Sequence, residues 1–488
     1  MSDTRQNQDR TPAHPGADAD GVARGNIGGD SGSTGHTGRT GDTGDTGDTV
    51  GGAPTAAISR RRLLGTAGAV GAAGLALGAV GGATGYAAGR PEPVAALTTI
   101  GTGSVPFHGV HQPGITTPTH SNGHLVAFDL LPGAGRKEAA ALLRRWSASA
   151  RALMAGEPAT SGPGTSGGKG GGGDAASDAS PSVGHDTGIA LDAGPSSLTV
   201  TFGFGRSFFG RTGLADRLPA ALDPLPAFSS DHLDARRSDG DLWIQIGSDD
   251  ALVAFHALRT LQKDAGAAAR VRWQMNGFNR SPGVTPHPMT SRNLMGQIDG
   301  TGNPKPSEPD YDQRIFVPAH PPTGTTDWMA GGSYAVVRRI RMLLDDWEKL
   351  SVSAQEHVIG RRKSDGSPLT GGTETTEMDL DRMGPDGKPV IPVNAHARIS
   401  KPEANGGAAM LRRPFSFHDG IGTDGTPDAG LLFVCWQADP LKGFVPVQRK
   451  LDRGDALSAF IRHESSGLFA VPGGARQGEY VGQRLLES

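Results

Sequence analysis

The chain has 488 residues, with 47 Lys and Arg against 50 Asp and Glu and a formal net charge of -3. That near-balance provides no electrostatic footprint for nucleic acid or an anionic membrane as partner. A single cysteine, Cys435, excludes an intramolecular disulfide and the zinc sites built on paired cysteines.

Residues 1–58 are rich in Gly, Asp, Thr and Ser and carry glycine-led triplets from Gly35 to Thr49. Without proline this is a poor collagen candidate, and so few apolar groups cannot offset ordering entropy, so the stretch reads as disordered. Residues 59–96 read as an export signal: Arg60 and Arg61 precede an uncharged run from Leu63 to Gly89, and small residues follow near Ala87 and Ala88 or Ala95 and Ala96. Nine of the 27 residues of that run are glycine, which makes it weak as a single-pass anchor, the competing reading. The adjacent arginines resemble the twin-arginine signal, which exports folded proteins. That predicts a periplasmic, cell-surface or extracellular address, and a route suited to a protein whose cofactor is inserted beforehand.

The remainder divides into 97–290 and 291–488. In the first part "HLVAFDLL" (124–131) alternates as a strand. "RKEAAALLRRWSASARALM" (136–154) places Leu142, Leu143, Trp146, Ala150, Leu153 and Met154 on one helical face. A Gly/Ser/Asp-rich insert at 156–188 reads as a flexible loop. Strands follow at 196–205 and 241–248, then a helix at 249–264 with Ser248 as its cap, then a strand at 270–278. Strand, helix, strand, strand, helix, strand is the ferredoxin-like pattern. The second part repeats it, with strands at 333–344, 407–417 and 430–437 and helices at 347–360 and 452–463. The expected fold class is α+β, two ferredoxin-like halves enclosing a core large enough for a cofactor.

There is no phosphate-cradling Gly-rich motif with its lysine, no G-x-S-x-G elbow and no paired CxxC. What remains is His, Asp and Arg chemistry in three stretches: Asp299 in "GQIDGTGNP", His396 in "NAHARISKP", and Arg412 with Arg413 in "MLRRPFSF". Taken singly, each has an ordinary reading as a turn, surface or core residue. Together, with "FHGVHQPGITTP" (107–118), "GGSYAVVRRIRM", "RRKSDGSPLTGG" and "LLFVCWQADPLKGFVPVQRKL", they occur in an order that resembles the dye-decolorizing peroxidase family. The opening stretch is similar to that of its secreted branch, related to iron-uptake deferrochelatases.

The resemblance implies an α+β barrel of two ferredoxin-like halves around one haem b, with hydrogen peroxide and small aromatic reductants as substrates and an iron-uptake permease as a possible partner. It implies His396 as axial iron ligand with Asp439 as that ring's carboxylate partner. Asp299 becomes the proton shuttle for peroxide and Arg412 its cationic companion, with Arg413 paired to a haem propionate. Gly296 and Gly300 complete the family's GxxDG pattern, and glycines there are expected to let backbone approach the flat macrocycle. Trp436, Tyr334 and Tyr480 are candidate electron relays. Phe415 and Phe417 stand where the family often has tyrosine. His108, His111, His120 and His124 read as solvated loop histidines, with surface metal binding as the alternative. Chlorite-processing relatives share the duplicated fold but lack the Asp of GxxDG, so Asp299 argues against that activity.

Overall fold

The computed structural model describes residues 100–159, 186–285, 289–319 and 324–487. The expectations for 1–58 and 59–96, and for 160–185 of the insert, fall outside those residues.

The first half follows the predicted order: β1 (Asn122–Leu130), α1 (Arg136–Met154), β2 (Thr199–Gly205), β3 (Leu242–Ser248), α2 (Ala251–Ala265) and β4 (Ala269–Phe278). Its strands lie as β2-β3-β1-β4, all antiparallel. The six residues of the predicted α1 stripe are all buried, because a stripe at i, i+3, i+4 and i+7 has only one apolar surface to cover. Trp146 Nε1 donates to the Leu261 carbonyl at 2.8 Å and ties α1 to α2. The cap of α2 is Asp250, whose carboxylate accepts from the Val253 amide, and not Ser248, whose hydroxyl donates to the Ser196 carbonyl.

The second half contains β5 (Ser333–Met342), α3 (Leu344–Glu348), α4 (Val352–Ile359), α5 (His396–Ile399), β6 (Leu411–Arg412), β7 (Phe415–Ile421), β8 (Pro427–Gln437), α6 (Phe444–Gly454) and β9 (Ile461–Val471). Three expectations need correction here. The helix at 347–360 is two helices, because Ser351 starts a new one as its cap. The strand at 407–417 is interrupted at Arg413 and Pro414, where proline has no N–H for the ladder. The helix at 452–463 does not form: Gly454 ends α6, Asp455 caps a short 3-10 turn, and Ile461 opens β9.

The second sheet is ordered β7-β8-β5-β9, the same arrangement as the first half. The two sheets join edge to edge at Phe204↔Ala470 and Gly205↔Phe469 on one side and at Phe278↔Ser416 on the other, which closes an eight-strand barrel. Inside it pack Leu125, Trp243, Trp273, Phe415, Phe417, Trp436 and Phe469, drawn from both halves. The seams are short, and Gln112 extends one of them. Its amide donates to the Phe202 and Pro472 carbonyls at 2.9 and 3.0 Å, and its side-chain oxygen accepts from the Phe202 amide at 2.8 Å. The "HQPGI" stretch is therefore a barrel seal. A second tie is the buried Arg339 of β5, which pairs with Asp419 of β7, Asp428 of β8 and Glu464 of β9.

Two measurements check this account. Gln112→Ala leaves the buried Phe202 N–H unpaired and is expected to cost about 2 kcal/mol, seen as a lower urea midpoint; an unchanged midpoint contradicts the seal. Burial, and after it the Arg338 guanidinium, hold the His463 ring down to about 3, against about 6.5 for a free imidazole. Between those values the unfolded chain binds a proton that the folded one refuses, so stability falls as pH drops. The urea midpoint should decline from pH 7 to 4, and His463→Gln should flatten part of that slope. An identical slope in the variant counts against the assignment.

Candidate active site

The outer face of the second sheet, with α4 to α6 and the loop before β5, walls a cavity of about 570 Å3, within the ~300–1,000 Å3 range of small-molecule and cofactor sites. Apolar groups such as Met295, Ile340, Leu431, Phe433 and Phe444 form much of its lining, and Asp299, His396, Arg412 and Asp455 all open onto it.

Asp299 follows a tight hairpin. Asn293 Oδ1 accepts from the Met295 and Gln297 amides, Gly296 turns at φ +77°, and the Asp299 amide donates to the Ser291 carbonyl at 2.9 Å. Gly296 and Gly300, at φ +77° and +138°, are needed for backbone conformation; a methyl group on them would meet Lys363 and Thr290. Of the glycines in this stretch, only Gly302 would direct an added carbon into open space, and it lines the cavity.

Arg412 sits in β6, paired through Leu411↔Trp436 and Arg412↔Cys435 with β8. On its other side Asn303 imitates a strand neighbour: its amide donates to the Arg412 carbonyl at 2.9 Å and its oxygen accepts from the Arg412 amide at 3.1 Å. So held, Arg412 NH1 donates to Asp299 Oδ1 at 2.8 Å, while Asn293 Nδ2 reaches Asp299 Oδ2 at 3.3 Å. Both charged side chains keep a window on the cavity, Asp299 18% and Arg412 27% exposed.

His396 opens α5. Its Nδ1 lies 2.7 Å from Asp455 Oδ2, and the other Asp455 oxygen accepts from the Leu457 amide at 3.0 Å. The carboxylate is 2% exposed and the imidazole 29%, so the ring faces the cavity with its partner hidden behind it. Burial disfavours the charged ring, but the Asp455 carboxylate outweighs that effect and raises His396 above its ordinary value. With Nδ1 occupied, Nε2 is the nitrogen free for a ligand.

The structure corrects two partner assignments. Asp439 does not reach His396. It opens the turn between β8 and α6, accepting from the Leu441 amide and pairing with Lys442. Asp455, brought back by α6, occupies the role instead. Arg413 does not line the cavity. Its amide joins the ladder to Val434, and among the described residues its guanidinium finds no carboxylate, with the Tyr311 phenol as its electrostatic companion. Asp455, Asn303 and Asn293 were not singled out from sequence. The signal for Asp455 was its place before a short apolar turn, which also describes any capping aspartate.

The remaining candidates lie elsewhere. Trp436 is fully buried in the barrel, 5.9 Å from Trp243, beside Phe415 and Phe417. Tyr334 and Tyr480 are outside the cavity lining. His108, His111, His120 and His124 bond separately to Ala475, Gly331, Ser197 and Asn276. Among the described residues there is no cluster of three metal-ligating side chains.

The haem implied by the resemblance fits this cavity. The His396 imidazole, with Nδ1 committed to Asp455, would supply an iron-ligating nitrogen, the apolar walls would suit a macrocycle, and Gly302 would leave room for one. Arg338, also in the lining, pairs with Asp231 through Nη2 but keeps buried Nε and Nη1 atoms without a hydrogen-bond partner, and His463 does the same with Nδ1, so uncommitted polar atoms stand near.

Comparison with known proteins identifies the family. Residues 112–279 match the family described as Dyp-type peroxidase, N-terminal, and residues 290–476 match Dyp-type peroxidase, C-terminal. The chain is 45% identical over 388 residues to the dye-decolorizing peroxidase of Thermobifida fusca, covering 77% of this chain and 84% of that protein. It is 33% identical over 446 residues to the deferrochelatase of Escherichia coli, covering 88% and 97%. The crystal structure of a DyP-type peroxidase from Streptomyces coelicolor and that of ferric DtpA from Streptomyces lividans each superpose with a TM-score of 0.74 at 71% identity, covering 80% of this chain and 99% of theirs. With both halves matched and relatives of this identity over most of its length, the chain belongs to the Dyp-type peroxidase family and is a peroxidase.

Proposed function

We propose that this peroxidase is exported, carries one haem b per chain, reduces hydrogen peroxide and oxidises small aromatic, phenolic or dye-like one-electron donors. The observation that carries this reading is the meeting of two pairs in one cavity, Asp299 with Arg412 and His396 with Asp455. When bound, the haem iron supplies the redox centre at which the peroxide O–O bond breaks. His396 would hold that centre through Nε2, and an Nδ1 proton directed to Asp455 Oδ2 would fix the tautomer and strengthen the ligand. Asp299 accepts a proton from one peroxide oxygen and returns it to the other, which departs as water. Arg412 stabilises the charge that gathers on the departing oxygen and keeps Asp299 Oδ1 oriented. Over the cycle, hydrogen peroxide, two protons and two electrons from two donor molecules become two waters. Donors too bulky for the cavity need an electron path through the protein, for which Trp436 against Trp243 is the candidate.

A second reading is iron acquisition: removal of iron from haem, or ferrous iron oxidation beside a permease. It rests on the likeness to the Escherichia coli deferrochelatase. Metal-free porphyrin fluorescence appearing without peroxide would favour it.

Purified, haem-loaded protein tests the leading reading. Asp299→Ala with Arg412→Leu should slow the peroxide-driven change in the haem absorption band by at least ~100-fold, the scale of general acid–base catalysis; an unchanged rate refutes the assignment. His396→Ala should lose haem or its histidine-ligated spectrum, Asp455→Asn should weaken haem retention, and Asp439→Asn should leave both as in the parent. For export, Arg60→Lys with Arg61→Lys should trap the protein in the cytoplasm, and continued appearance outside it would contradict a twin-arginine route.

A further inference from the structure

The loop carrying Asp299 is secured at Asp299 by Arg412 and Asn293 and after Gly302 by the Asn303–Arg412 pair, while the start of the loop at Thr290 and the segment at Thr301 are held by neither. Two hydroxyls of that loop do find a common anchor. Thr290 Oγ1 and Thr301 Oγ1 both donate to Glu374 Oε1, at 2.6 and 2.9 Å. Thr290 begins the loop and Thr301 lies two residues past Asp299, so one oxygen draws its two ends together. Glu374 is itself fixed from behind, since Arg361 NH1 donates to its carbonyl and to that of Gly366, both at 2.8 Å. Other carboxylates on the cavity wall are engaged with cations or the imidazole: Glu308 with Arg314, Glu377 with Lys401, Asp455 with His396. Glu374 forms no salt bridge among the described residues, and its oxygen serves hydroxyl donors alone.

We infer that Glu374 is a positioning residue for Asp299, acting as a two-hydroxyl staple that holds the Gly300–Gly302 segment in register with the cavity. The inference rests on the reading of Asp299 as proton shuttle. Two short hydroxyl hydrogen bonds to one acceptor oxygen fix both ends of the loop, and proton transfer is intolerant of displacement, with about 1 Å enough to cost ~100-fold. A glycine-flanked aspartate lacking this staple has the backbone freedom to drift that far.

The test uses full-length haem-loaded protein and two readouts: the rate of the peroxide-driven absorption change, and hydrogen–deuterium exchange at the Asp299 and Asn303 amides. Glu374→Ala should slow the first by roughly 10- to 100-fold and speed the second, with the haem spectrum retained. Glu374→Gln, which keeps an acceptor oxygen, should restore both towards the parent. Thr290→Val with Thr301→Val should reproduce the alanine effect with Glu374 intact, which covers the case of a poorly folding alanine variant. A parent-like rate in Glu374→Ala while Asp299→Ala is slow overturns the staple alone. So does a Glu374→Gln variant as slow as Glu374→Ala, because charge and not acceptance would then be the cause. A parent-like rate in Asp299→Ala removes the shuttle itself, and the staple with it.

Discussion

Strand β5 has hydrogen-bonded neighbours on both sides, β9 along one edge and β8 along the other, and the geometry of the site depends on that double pairing. Because side chains alternate across a strand, β5, β8 and β9 each send one set of residues into the barrel and another to its outside. Ala335, Val337, Val434, Trp436 and Phe469 go inward. Arg338, Ile340, Phe433 and His463 reach the cavity wall. A slip of one residue in either pairing would exchange these sets, placing guanidinium and imidazole among tryptophans. The three carboxylates around Arg339 oppose such a slip, since each comes from a different strand and all three must meet one buried cation.

On that wall the chemistry is divided between two kinds of support. Asp455 is hidden and spends both oxygens on fixed donors, so its effect on His396 is constant. Asp299 is partly open and keeps one oxygen loosely held, at 3.3 Å from Asn293, an arrangement that suits the proton shuttle proposed above. Asn303 separates architecture from reactivity at Arg412. By answering both backbone groups of that residue, it lets a two-residue strand stay in place without relying on the guanidinium that faces the cavity.

The first half was largely legible from sequence, because α1, α2 and the strands are long enough for period 3.6 or period 2 to dominate. The second half was harder to read. Its helices other than α6 span eight residues or fewer, and the stretch from Arg361 to Ala395 is held by turns and isolated bridges with no regular period. "DRGDALSAFIRH" has helical spacing, yet belongs to three different elements. At the site, Asp299, His396 and Arg412 were visible because polar residues stood among apolar or turn residues. Asp439 and Asp455 could not be told apart by that signal: both follow a hydrophobic element and both cap a turn. Only the path of α6 decides which of them returns to the imidazole. Arg412 and Arg413 are likewise adjacent and chemically identical, and strand alternation alone sends one to the cavity and the other away from it.

The barrel's seam also sets an order of events in time. β2 gains its outer neighbour only from β9, the last strand of the chain, and β4 waits for β7. While the polypeptide emerges from the ribosome, the first sheet stands with two bare edges, the condition in which strands recruit foreign partners. Closure of the barrel therefore waits for β7 and β9, and the first sheet alone leaves two edges unpaired.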